Sequence, residues 1–323
     1  MSKVLCLGEA LIDFIPTQNG HPLKGVEQFK KVAGGAPANV SAAIAGLGGK
    51  SYMIGKVGDD PFGDYLIETL KNKGVYSDYL VKTSKAKTAL AFVSLQQDGE
   101  RDFMFYREPS ADMLLEKTEI KREWFKEAGI FHFGSISLID EPVKGATLEA
   151  IKQAHDNDFI VSFDPNIRLP LWESEDEARF EILQRIPKAH LLKVSEEELF
   201  FLTSIKDERK AVSGLMTGSV EIIVVTKGAD GCVYYTRKTS GAVKGITVTP
   251  VDTTGAGDAF VGGLLYKLSQ QVEDIGDFRR ILENKANIER ALFFANVSGA
   301  LTTTRRGAIA ALPSFEEVKF ASS

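Results

Sequence analysis

Residues 252–260 read Asp-Thr-Thr-Gly-Ala-Gly-Asp-Ala-Phe, which sets a carboxylate beside two glycines where one local pattern gives way to another. Upstream, Gly245 to Val251 is a short β-branched run that reads as a strand. Downstream, Ala259 to Leu268 carries apolar residues at helical spacing. The spacing predicts a strand, a glycine turn and a helix N-terminus. Such a terminus offers unpaired N–H groups and the positive end of the peptide dipoles, so it favours an anion. Gly255 and Gly257 let the backbone approach that anion without a Cβ in the way. Asp258 adds a carboxylate at the same spot. That combination suits a base that removes a proton while the amides stabilise charge developing on a phosphate. The plainer reading is a first-turn acid that complements the helix dipole beside a tight turn.

A second glycine cluster lies near the other end of the chain. Gly34 and Gly35 precede Asn39 in Ala33-Gly-Gly-Ala-Pro-Ala-Asn39, with Asp13 upstream. Close backbone approach, an amide that donates and accepts, and a carboxylate acceptor suit a polyhydroxyl ligand. Glycines serving helix packing are the alternative. Phe163-Asp164-Pro165-Asn166-Ile167-Arg168 joins a fixed turn to an amide and a cation, with Arg168 suited to phosphate or planar oxygen groups. Ser195-Glu196-Glu197-Glu198 opens a helix, where the acids complement the dipole or Glu198 orders water around a magnesium–phosphate group. Two familiar phosphate motifs are missing. Gly49-Lys50-Ser51 resembles a P-loop tail, but Ile44 replaces the leading glycine, and Phe260 stands where a dinucleotide fingerprint needs its third glycine.

The elements that must position these residues follow from the pattern. Lys3 to Gly8 is an apolar run, the mark of a central strand covered on both faces, with Asp13 at or just past its carboxyl end. Phe29–Val32 and Tyr52–Val57 read as strands, Pro37–Leu47 and Pro61–Lys71 as helices. Thr88–Leu95 and Asp102–Arg107 flank Asp98-Gly99 as a hairpin outside the main sheet. From residue 129 strands at 129–133, 159–163, 189–194 and 221–226 alternate with helical stretches near 141–157, 175–186 and 195–217. That alternation gives a parallel sheet with both faces covered. Its strand ends share one edge, which brings together Asp13, Asp164 to Arg168, Lys193 to Glu198 and Thr226 to Gly228. Ala286 to Thr303 reads as a long small-residue helix.

Composition narrows the classes. With 323 residues, 44% hydrophobic and 26% charged, the chain has the make-up of a soluble globular protein with a large core. A net charge of −5 argues against nucleic-acid and anionic-membrane surfaces. Cys6 and Cys232 lie in apolar runs and read as buried thiols of a reducing compartment, and the histidines at 21, 132, 155 and 190 are scattered. The uncharged run Val32–Gly49 holds five glycines and is too weakly apolar to span a bilayer. With a strand beginning by Val4, no signal peptide is expected and the location expected is the cytoplasm.

Ala33 through Gly49 matches the N-terminal glycine signature of the ribokinase-type (PfkB) carbohydrate kinases, and Asp252 through Phe260 the C-terminal one. The two stand in the right order, and the chain resembles that family, its fructokinases most, from Val4 to about Pro313. The resemblance implies an α/β fold: a Rossmann-like three-layer α/β/α domain over residues 1–323, with a mostly parallel sheet and a small β lid from segments near 14–32 and 88–107. It implies ATP as phosphoryl donor, with Mg2+ and K+. Asp258 is then the base, and Gly255, Ala256 and Gly257 the anion hole. Asp13, Gly34, Gly35, Asn39 and Arg168 hold the sugar. Lys193, Ser195, Thr226, Gly228, Gly231 and Asn296 lie on the ATP side with Gly255 and Gly257. Glu198 serves Mg2+ through water, and Asp252 and Thr254, facing Arg306-Gly307, flank a monovalent cation. One position departs from the family pattern: Ser195 replaces the first residue of Asn-x-x-Glu, in a Lys-Val-Ser-x-Glu-Glu form that resembles fructokinases. The implied reaction is phosphorylation of O6 of D-fructose. A 2-keto-3-deoxygluconate kinase is the alternative within the family, and a sugar-responsive binding protein without chemistry the alternative outside it. The exposed edge of the lid implies a homodimer, since an uncovered edge is an aggregation liability.

Overall fold

The computed structural model describes residues 1–18, 20, 22–95 and 101–322. In chain order the elements begin with β1 (Lys3–Leu7), β2 (Leu11–Pro16), β3 (Phe29–Gly34), α1 (Ala36–Gly46), β4 (Ser51–Gly58), α2 (Pro61–Asn72) and β5 (Leu80–Thr83). There follow β6 (Leu90–Leu95), β7 (Arg101–Tyr106), β8 (Gly129–Phe133), α3 (Val143–Asp156), β9 (Ile160–Phe163), α4 (Glu175–Arg185) and β10 (Leu191–Ser195). Next come α5 (Glu196–Thr203), α6 (Glu208–Leu215), β11 (Ile222–Thr226), β12 (Cys232–Thr236) and β13 (Ser240–Val243). The chain ends with α7 (Ala256–Ser269), α8 (Ile275–Glu283), α9 (Lys285–Thr302) and α10 (Phe315–Ala321).

Nine strands form one sheet in the order β13-β12-β11-β10-β9-β8-β1-β4-β5. The strands from β11 to β5 are parallel, and β12 and β13 add an antiparallel edge. Strand periodicity of two sorts the core into two halves. Val4 and Cys6 of β1 face one side with residues of α1, α2, α7, α8 and α9, while Leu5 and Leu7 face the other with residues of α3, α4, α5 and α6. The result is three layers, as the βαβ alternation predicts. Both tryptophans, Trp124 and Trp172, lie in the second half, and the Trp124 ring stacks on Tyr79 at 4.4 Å. Among the described residues no helix is long and apolar enough to cross a membrane.

Four strands make a separate sheet in the order β3-β2-β6-β7. Here β2 runs antiparallel to β3 and parallel to β6, and β6 and β7 form the antiparallel pair anticipated around Asp98-Gly99. The turn itself, residues 96–100, lies outside the described residues, as do residues 19 and 21 of the first lid segment. Asp13 belongs to this small sheet, paired with Val32 and Ala91, and not to the end of β1. Only residues 8–10 separate β1 from β2, so the chain passes from the main sheet to the small one almost without a connection.

Two expectations need correction. Residues 245–251 are not a strand: their backbone turns elsewhere, the Gly245 N–H donating to Asp230 O at 3.3 Å and the Val251 N–H to Thr303 O at 2.7 Å. Pro250 has no N–H to offer a ladder. The helical stretch 195–217 is two helices, α5 and α6. Ser204 closes the first in the left-handed region (φ 55°), and the Asp207 side chain opens the second by accepting the Lys210 N–H at 2.9 Å.

Candidate active site

Asp258 lies in the first turn of α7 and is 7% exposed. Both its oxygens are held by amides from different elements. Asn39 Nδ2, on α1, donates to Oδ2 at 2.8 Å, and Asn166 Nδ2, on the turn after β9, donates to Oδ1 at 3.1 Å. Burial raises the Asp258 pKa to about 6, with nearby Asp164 adding to the rise while Asn39, Arg168 and Lys193 oppose it. A carboxylate poised there is a stronger proton acceptor than an exposed aspartate, yet ionised at neutral pH.

The helix end around it is built to receive an anion. Gly255 caps α7 with no side-chain cap bond, and the N–H groups of Gly255, Gly257 and Asp258 have no acceptor among the described residues. Ala256 differs from the expectation, since its N–H donates to Thr253 O at 3.3 Å and its side chain does not line the cleft. Opposite stands Lys193 Nζ, 3.6 Å from the position a Cβ on Gly257 would take. Lys193 is buried and paired with Asp164 at 3.1 Å. Burial alone would lower the Lys193 pKa, but Asp164 and Glu198 outweigh it and raise it, so the ammonium persists.

These residues line a cleft of about 220 Å³ between the main and small sheets. Asp13, Gly35, Asn39, Arg168, Lys193, Asp252, Thr254, Gly255, Gly257 and Asp258 all border it, so ten residues predicted from widely separated segments meet at one place. Gly34 stands directly behind, where any Cβ would collide with the Asp13 carboxylate. Apolar residues of the small sheet, Ile15, Val93 and Phe105 among them, complete the wall. Asp252 organises the mouth. Its Oδ1 accepts from Thr254 N at 2.9 Å and Thr254 Oγ1 at 2.6 Å, and its Oδ2 accepts from Gly307 N at 2.9 Å.

The remaining predicted residues sit beside the cleft. Ser195 and Thr226 are register partners on β10 and β11, and Thr226 Oγ1 donates to Val194 O at 3.4 Å. Gly231 and Asn296 converge on the end of β13: the Asn296 Nδ2 donates to Val243 O at 3.0 Å, against which Gly231 packs. Gly228 opens the tight turn between Thr226 and Gly231. Ser195 caps α5, its Oγ accepting the Glu198 N–H at 3.1 Å while Glu198 Oε2 accepts the Ser195 N–H at 2.8 Å. Glu198 Oε1 accepts the Ile167 N–H at 2.8 Å and thereby pins the Asp164–Arg168 turn.

One cleft residue, Glu9, escaped the sequence reading, and the contact made by a second, Asn166, was not legible in it. Asn166 was visible at a strand end, but nothing in sequence shows that its φ of 45° aims the amide at Asp258. Glu9 is 3% exposed and its Oε1 accepts the Ala36 N–H at 2.9 Å, capping α1 from another element. Burial raises the Glu9 pKa to about 7. Its place right after an apolar strand was the only signal.

Comparison with known proteins matches the model of the "pfkB family carbohydrate kinase" to residues 1–314. The "Probable fructokinase-6, chloroplastic" of Arabidopsis thaliana is 50% identical over 317 residues, covering 98% of this chain and 81% of that one. The structure is similar to that of a fructokinase with bound ATP from Xylella fastidiosa (TM-score 0.91, 39% identity, 98% and 97% of the two chains). It is also similar to a fructokinase from Vibrio cholerae O395 with fructose, ADP and a calcium ion bound (TM-score 0.88, 38% identity, 99% and 98%).

Proposed function

The chain belongs to the pfkB family of carbohydrate kinases, and from that premise we propose that it is a fructokinase, transferring the γ-phosphate of ATP to the 6-hydroxyl of D-fructose. The observation that carries the mechanism is the Asp258 carboxylate, buried, pinned at both oxygens and set at an uncapped helix N-terminus.

Asp13, Gly34, Gly35, Asn39 and Arg168 hold the sugar so that its primary hydroxyl meets Asp258, with the small sheet closing over it as a lid to exclude water. Asp258 accepts the hydroxyl proton as the oxygen attacks in line. The free amides of Gly255, Gly257 and Asp258, with Lys193 opposite, receive the charge on the transferring group. Thr226, Gly228, Gly231 and Asn296 border the nucleotide. Glu198, whose two oxygens each already accept a backbone N–H, fits Mg2+ through water. Mg2+ on the phosphates neutralises charge on their oxygens. The hard oxygens of Asp252 and Thr254 fit a monovalent cation, K+ being the one we propose, beside the Gly307 loop. Exposed Met104 and Tyr106 on the edge strand β7 support a homodimer through the lid. The reaction itself is placed in the cytoplasm by this reading.

The test is ATP consumption by the pure protein with Mg2+ and K+, comparing kcat/KM for fructose, 2-keto-3-deoxygluconate, ribose and glucose. The expected result is a preference for fructose of about tenfold or more, roughly 1.4 kcal/mol. A preference for the keto-acid overturns the substrate, and turnover of none of the four overturns the reading.

A further inference from the structure

Resting on the kinase reading above, we propose that Asp164 is a positioning residue that ties the two sides of the transfer together, holding Lys193 at the anion hole and Asn166 on the base. Asp164 does not itself line the cleft and is 4% exposed, so it acts only through its neighbours. Its carboxylate meets Lys193 Nζ at 3.1 Å through Oδ2 and 3.3 Å through Oδ1. The same Oδ1 accepts the backbone N–H of Asn166 at 3.2 Å. That bond closes a turn in which Asn166 takes its left-handed φ of 45°, a conformation asparagine tolerates when its backbone is held this way. From there Nδ2 reaches Asp258 Oδ1 at 3.1 Å. One buried carboxylate therefore fixes the cation that faces the phosphoryl group and the amide that orients the base. Glu198 braces the next peptide of the turn through Ile167 N at 2.8 Å.

The charges give this role a signature. Asp258 faces Asn39 on α1, Asp164, Asn166 and Arg168 on the turn, and Lys193 on β10, while Glu9, Asp13 and Asp252 line the same cleft. Lys193 faces Asp164, Glu198, Asp258 and, on β8, His132, which burial keeps neutral with a pKa of about 3. Removing the Asp164 charge relieves repulsion on Asp258 and strips Lys193 of its nearest counter-ion. Both groups then lose their proton at lower pH.

The experiment is kcat and KM against pH for the full chain, its D164N and D164A variants, and N166A. D164A should lose about 10²-fold in kcat with KM for the sugar changed only a few-fold, as expected for misplaced reacting groups. D164N keeps an oxygen that can accept from Asn166 and Lys193, so kcat should return to within about tenfold of the parent, with the acidic limb moved down by roughly half a pH unit or more. N166A removes a hydrogen bond to the ionised base but no charge, so its acidic limb should move up instead. The proposal is overturned if the D164N profile superimposes on the parent's, if the D164N and N166A limbs move in the same direction, or if D164A only lowers the melting temperature while kcat per folded molecule stays unchanged. Should D164A fail to fold, D164N and N166A decide the matter alone. A parent chain that turns over no sugar refutes the kinase reading; an active parent with an unshifted D164N refutes only this inference.

Discussion

Replacing Asp258 by Asn should abolish most activity and make the protein more stable, with the gain growing as pH rises. In the folded chain the Asp258 pKa is raised from 3.8 to about 6. The folded state therefore binds this proton more tightly than the unfolded state. Its contribution favours folding at low pH and is lost as pH rises through the folded value. The uncharged Asn lacks that term. The two values put the relief at about 3 kcal/mol at pH 8 and at roughly half of that at pH 5. Against this, the new amide meets the donors of Asn39 and Asn166, a mismatch costing about 1–2 kcal/mol. Asn39 Oδ1 is buried without a partner among the described residues, so a flip of that amide can absorb part of the cost. The net gain at pH 8 is thus about 1–3 kcal/mol, and its growth between pH 5 and 8 is free of the mismatch term. The assay is urea unfolding followed by circular dichroism at both pH values, beside steady-state kinetics, where kcat should drop by about 10²–10⁴ with KM changed little. A variant less stable than the parent at pH 8, or one whose advantage does not depend on pH, would refute the reasoning, as would near-normal kcat.

Gly257→Ala puts a methyl 3.6 Å from Lys193 Nζ, inside the space for the transferring group, so kcat should fall by about 10–10²-fold while thermal stability holds or rises slightly. Ser195→Ala removes the α5 cap and should cost about 0.5–2 kcal/mol in urea unfolding with kcat within a few-fold; a hundredfold loss of kcat would make Ser195 a chemical participant. Asp252→Asn should blunt activation when Na+ is exchanged for K+ in the assay, and equal activation in parent and variant would remove Asp252 from the cation site. Tyr106→Lys charges the exposed edge of β7, so a dimer seen by light scattering should become a monomer; an unchanged mass would place any dimer contact elsewhere.

The layers were legible because buried parallel strands are continuous apolar runs and their helices are capped by recognisable residues. Val4 to Leu7 is fully buried, as a doubly covered strand must be, and Asp60 and Ser174 cap α2 and α4 where the pattern starts. Gly255, Gly257 and Asp258 could be placed together because they are consecutive. What local pattern does not carry is the direction a strand takes next. Asp13 looked like the end of β1, whereas a three-residue step hands it to another sheet. Residues 245–251 have strand chemistry but pair with none of the described strands. Ser195 departs from Asn-x-x-Glu in the sequence, which left its own role open, and the structure gives it the work of a capping box with Glu198. Asn166 and Glu9 contact groups 92 and 27 residues away, and such long-range hydrogen bonds leave no periodic trace in a single sequence.

The segregation of both tryptophans into one half of the core makes the intrinsic emission of this chain one-sided. Trp124 is stacked on Tyr79, and Trp172 follows the Arg168 turn by four residues with its indole N–H buried and without a partner among the described residues. Light at indole wavelengths therefore reports the half of the molecule that lacks α1, α7 and α9. A fluorescence melt can look unchanged while the helices carrying Asn39 and Asp258 loosen. Trp172 is the exception, because its backbone continues directly from the turn that presents Asn166 and Arg168. In a chain with Trp124 replaced, the one remaining fluorophore would watch that turn as ligand enters.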